Sequence, residues 1–140
     1  MSNVFCNFPW VHNYVHPNGK FRLCCTTSQD IVTDDKYHSF HAGKHSVEEY
    51  WNSNRMKEIR KNMMNGVKVK DCIKCYQQDE AGVDSLRNSS GMNDLMAQTS
   101  EDGTFTKPGK IMQLQMTNIC NLKCKMCSQM YSHMNGLELL

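Results

Sequence analysis

Apolar and polar residues alternate in short runs over the first part of the chain, then change to a helical period. Phe8-Pro-Trp-Val-His-Asn-Tyr-Val15 is rich in aromatic and β-branched residues, His16-Pro-Asn-Gly19 supplies turn chemistry, and Lys20-Phe-Arg-Leu-Cys24 alternates again. Together they predict a β-hairpin over residues 8–24. Residues 26–45 are polar and read as a loop. Val47, Tyr50, Trp51, Met56, Ile59 and Met63 then recur as an apolar stripe. Ser46 with Glu49 offers a capping box and Gly66 a stop, so one helix is expected over 47–65. A second helix is expected from Cys75 to about residue 87. Residues 88–110, rich in Ser, Asn, Asp, Gly and Thr, read as a connector with one helical turn near Asp94-Leu-Met-Ala97. Ile111-Met-Gln-Leu-Gln-Met116 alternates as a strand does, and a further helix is expected from about Ser128.

Composition narrows the class. The 140 residues with 39% apolar content suffice for one modest domain. A net charge of +2 and the absence of any long Lys/Arg run give no reason to expect nucleic acid or an anionic membrane as partner. No apolar run is long enough for a membrane span, and Met1-Ser-Asn-Val-Phe-Cys-Asn7 lacks the regions of a signal peptide. The expected location is cytoplasmic. In a reducing compartment, eight cysteines point to metal or cluster ligation rather than to disulfides. The eleven methionines read as adaptable core filler.

The cysteines fall into two sets. Cys120, Cys124 and Cys127 form C-x3-C-x2-C directly after the expected strand. Three closely spaced thiolates wrap one face of a cubic cluster and leave one iron open to an exogenous ligand. The plainer alternatives are a zinc site completed by His133, or unligated thiols. The second set is Cys6, Cys24, Cys25, Cys72 and Cys75, in a C-x12-G-x4-C hairpin followed by C-x2-C. A structural zinc is the alternative there, although zinc ribbons usually present two short knuckles and this chain has one.

The C-x3-C-x2-C loop, preceded by Thr117-Asn118, resembles the cluster loop of the radical S-adenosylmethionine (SAM) superfamily. The N-terminal set resembles the twitch or SPASM auxiliary-cluster module found in many of its members. Ser46-Val-Glu-Glu-Tyr-Trp-Asn-Ser53 with Met56-Lys-Glu-Ile-Arg60, and the segment Cys75 to Arg87, resemble the module's later parts. The likeness covers roughly residues 6 to 133.

The resemblance implies an α+β protein. Residues 1–90 would form a hairpin-plus-helices twitch-like iron–sulfur domain and 91–110 a linker. Residues 111–140 would be the first strand, cluster loop and start of the first helix of a (β/α) barrel. The chain stops thirteen residues after Cys127, so that barrel is expected to be truncated and inactive alone. By resemblance, Cys120, Cys124 and Cys127 hold a [4Fe–4S] cluster whose open iron takes SAM. Met126 keeps a large apolar contact near the adenine where the family often has an aromatic residue. Cys6, Cys24, Cys72 and Cys75 hold an auxiliary [4Fe–4S] cluster, with Cys25 as the rival of Cys24. The implied function is generation of a 5′-deoxyadenosyl radical for hydrogen abstraction from an unknown substrate, such as a peptide. A flavodoxin or ferredoxin would donate electrons and a partner polypeptide would complete the barrel. The rival class is a non-catalytic iron–sulfur or zinc protein serving as electron carrier or scaffold. One departure is order, since the auxiliary module usually follows the barrel and here precedes the loop.

Several residues carry weaker signals. Glu80, Ser85 and Arg87 read as surface or local pairing residues. His12, His16, His38, His41 and His45 lack ligand-pair spacing and read as lining a solvated loop. Trp10 and Trp51 read as core anchors around a cluster.

Overall fold

The computed structural model describes residues 4–88, 94–115 and 117–137. It is a small mixed α+β structure with one three-stranded sheet. The chain opens with a single helical turn, α1 (Phe8–Val11), and continues directly into β1 (His12–Val15). This corrects the expected hairpin arm at its start, because Pro9 in the first helical turn has φ pre-set for a helix and no N–H to satisfy. β1 pairs antiparallel with β2 (Phe21–Arg22) through Val15↔Phe21 and Tyr14↔Arg22. At the turn, Gly19 has φ +79° and the His41 ring lies where a Cβ would stand, so only glycine fits.

The helix expected over 47–65 forms as two. The capping box is present at α2 (Val47–Trp51), with Ser46 Oγ accepting from Glu49 N–H and Glu49 accepting from Ser46 N–H at 2.6 Å. Ser53 then caps a second helix, α3 (Asn54–Met64), by accepting from Met56 N–H. The break has a local cause: serine favours a cap over a helix interior, and Asn52 turns its side chain to Phe105. A 3₁₀ turn over Lys70–Cys72 leads into α4 (Ile73–Glu80), which ends before residue 87 because Gly82 takes φ +73°.

The last strand, β3 (Ile111–Leu114), adds to the other side of β1 in parallel, His12 opposite Ile111 and Val15 opposite Leu114. The sheet order is therefore β2-β1-β3. The expected strand end at Met116 lies outside the described residues, as do residues 89–93 of the connector and 138–140 of the last helix. That helix, α5, covers His133–Leu137.

The core lies between the sheet and α2 and α3. Trp10, Tyr50, Trp51, Met56, Ile59 and Met63 are buried there with Phe21, Leu23 and Ile31. Both tryptophans are thus core anchors. Phe21 stacks on Tyr50 with ring centroids 4.5 Å apart. Leu95 and Phe105, from the segment read as a connector, are buried in the same core. His12 and His16 are also buried, at 3% exposure each, so the solvated-loop reading of the histidines is corrected for these two. His12 opens β1, the central strand of the sheet, and His16 directly follows it.

Candidate metal centre

Four cysteines from three parts of the fold line one pocket. Cys6 comes from the segment before α1, Cys24 from just after β2, Cys72 from the 3₁₀ turn and Cys75 from the first turn of α4. The hairpin folds Cys24 back beside the start of the chain, and the tight Lys70–Cys72 turn brings the C-x2-C pair up to it. Phe8, Leu23 and Leu86 supply apolar walls; Thr26 and Arg87 complete the lining.

Cys6 and Cys75 are buried, and Cys24 and Cys72 are half-buried. The Thr26 hydroxyl lies 3.0 Å from Cys24 Sγ and 4.0 Å from Cys75 Sγ, joining sulfurs 51 positions apart in the chain. Burial pushes the Cys72 thiol well up from its usual value, and the neighbouring sulfurs of Cys6 and Cys24 push it further. Such thiols become thiolates only when a cation shares the space. Among the described residues, no three His, Cys, Asp or Glu side chains are grouped to hold a single metal ion. The four thiols surround a cavity.

Cys25 does not line that pocket and is exposed at the surface. Of the rival pair, the geometry brings Cys24 to the other three cysteines. Arg87, read from the sequence as a surface or local pairing residue, is buried against the pocket and also pairs locally with Asp79. Ser85 is buried as well, whereas Glu80 is exposed and pairs with Lys68. Thr26 and Leu86 had no legible sequence signal, because each reaches the cavity only through the way its segment folds back.

Cys120, Cys124 and Cys127 lie elsewhere, on the loop after β3. Cys124 is exposed, Cys120 and Cys127 are half-buried, and Met126 is 95% exposed. Side chains at the start of α5 hold this loop by its backbone. Asn135 Nδ2 donates to the carbonyl oxygens of Cys127 at 2.7 Å and Cys124 at 3.3 Å. Ser132 Oγ, on a residue only 1% exposed, donates to Leu122 O. The Cys120 N–H donates to His133 Nδ1 at 3.0 Å, and Asn118 O lies 3.3 Å from the same nitrogen. Ser132 and Asn135 were not legible as site residues in the sequence.

A small α+β fold that gathers four distant thiols around an apolar pocket defines an iron–sulfur or metal-binding module. A family model for SPASM, an iron-sulfur cluster-binding domain, matches residues 6–76, half of the chain. The chain belongs to this family. The matched stretch begins at Cys6 and runs just past Cys75. No curated protein and no solved structure matches the chain. Among the described residues, no helix is long and apolar enough to cross a membrane.

Proposed function

We propose that Cys6, Cys24, Cys72 and Cys75 hold an auxiliary [4Fe–4S] cluster, and that Cys120, Cys124 and Cys127 hold a second one that binds SAM, in a radical SAM protein of the cytoplasm. The observation that carries this reading is the convergence of the four N-terminal cysteines on one apolar pocket. Their chemistry fits the group, since four thiolates saturate a cubic cluster and the Phe8, Leu23 and Leu86 walls keep water from it. At the second site, Ser132, His133 and Asn135 fix the loop backbone so that its thiols start from one arrangement. Met126 is the apolar contact offered to the adenine.

Bound there and reduced by one electron from a flavodoxin or ferredoxin, the cluster with SAM supplies a 5′-deoxyadenosyl radical, with methionine as co-product, for hydrogen abstraction from a substrate such as a peptide. This chain's residues place the sulfurs and exclude water. In this reading residues 1–90 form the auxiliary domain, 91–110 join it to the barrel start, and 111–140 begin the barrel. The strands of a partner polypeptide shield the radical. Ile111, Met112 and Leu114 on β3 are about half exposed and would be covered by them. A second reading, an iron–sulfur protein without catalysis, draws support from the open setting of Cys124 and Met126.

Anaerobic iron and sulfide counting tests the assignment on wild type and on the C120A/C124A/C127A variant. Two clusters falling to one support it; zinc without sulfide sinks it. Turnover of SAM to 5′-deoxyadenosine by the chain with dithionite would overturn the expectation that it is inactive alone.

A further inference from the structure

The four-thiol pocket has a fifth wall outside the stretch that the family match covers. It is made by Leu86 and Arg87, brought back by the Gly82 turn after α4. Arg87 is 9% exposed, and its guanidinium is held from three sides. Nη1 donates to Phe5 O at 3.3 Å, beside Cys6. Cζ lies 5.3 Å from the Tyr76 ring centroid, beside Cys75. Nε donates to Asp79 Oδ2 at 2.9 Å, and Nη2 donates to the same oxygen.

Asp79 is not among the residues lining the pocket. It lines the outer groove with Lys68, Tyr76, Glu80 and Arg87, and its other oxygen accepts from Asn88 Nδ2 at 2.9 Å. Arg87 thus lines both the pocket and the groove, whereas its partner carboxylate lines the groove alone. A cluster held by four thiolates is a net anion inside apolar walls, where a nearby fixed charge acts with little screening.

We propose that Arg87, positioned by Asp79, is the counter-charge of the auxiliary cluster and sets its reduction potential. The proposal rests on the reading that these four cysteines hold an iron–sulfur cluster. The reduced cluster carries one more negative charge than the oxidised one, so a cation at its wall favours reduction. Removing the cation makes the cluster harder to reduce; removing its partner carboxylate makes the cluster easier to reduce.

The experiment uses the full chain carrying C120A/C124A/C127A, so that one cluster reports. Wild-type Arg87, R87Q, R87K and D79N are reconstituted anaerobically and counted for iron and sulfide. Each is then titrated with dithionite while the electron paramagnetic resonance signal of the reduced cluster is followed. R87Q is expected to weaken the reduction equilibrium about tenfold, ~59 mV for one electron. R87K should recover most of that loss, and D79N should shift the opposite way. Full loading with R87Q and D79N both at the parent potential overturns the proposal and leaves the cluster reading standing. Parent protein without sulfide overturns both. If R87Q fails to load, R87K and D79N decide: D79N shifted upward supports the counter-charge, and D79N unmoved or shifted downward overturns it.

Discussion

The buried Arg60 guanidinium donates from Nε to the carbonyl oxygen of Pro9 at 2.9 Å, tying the middle of α3 to the turn that follows Cys6. Nη1 donates to Asn52 Oδ1 and Gly103 O, and Cζ sits 4.6 Å over the Trp51 ring. Among the described residues no carboxylate pairs with it. Carbonyl oxygens and aromatic faces carry the charge, and burial pulls the group down to about 10.

Arg60→Lys keeps the charge but lacks the fork that reaches three acceptors. Losing charge-assisted bonds of this kind costs about 2 kcal/mol each at a buried position. Urea unfolding should therefore show a lower midpoint for R60K at unchanged slope. A midpoint equal to wild type would mean that the fork does not hold α3 to Pro9.

The same core predicts a loss of stability in alkali. Burial raises the Tyr50 phenol above its usual value of 10 and brings Tyr76 up to about 12. Above pH 10 the unfolded chain releases these protons first, so stability falls as pH climbs toward the folded values. Arg60 has the opposite sign and offsets part of the fall. Tyr50→Phe should flatten the decline between pH 10 and 12 in thermal melts, at a cost of about 1 kcal/mol at pH 7 for the lost bond to Arg22 O. A decline as steep in the variant as in wild type would remove Tyr50 as its source.

Cys24 and Cys25 are adjacent in sequence and differ in direction. Cys24→Ser should abolish the N-terminal cluster, read as iron and sulfide in the C120A/C124A/C127A background, whereas Cys25→Ser should load fully. The reverse result would assign the ligand to Cys25.

Asn135 holds two carbonyl groups of the three-cysteine loop. Lys123 and Lys125 lie within that loop and offer trypsin sites. Asn135→Ala removes bonds of about 1 kcal/mol, so limited trypsin cleavage there should accelerate roughly fivefold while global unfolding barely changes. Equal cleavage rates would show that the loop keeps its shape without the clip.

How far the sequence reached can be traced through particular residues. Ser46 and Glu49 announced the start of α2, because a cap is local chemistry. Ser53 caps a second helix inside the apolar stripe, whose unbroken recurrence had led to one helix being expected where two form. The arm of the hairpin at Phe8 became a helical turn because Pro9 favours a first helical turn more strongly than aromatic content favours a strand.

Cysteine spacing by itself set Cys120, Cys124 and Cys127 apart from the five N-terminal cysteines. Spacing is written along the chain, and ligation by short loops depends on it. Only the tertiary structure decided that Cys24 rather than Cys25 faces the pocket, that β3 joins β1 in parallel, and that Arg87 lines the pocket while pairing with Asp79. Those outcomes depend on which way a side chain points after distant segments pack, and no local pattern encodes that direction.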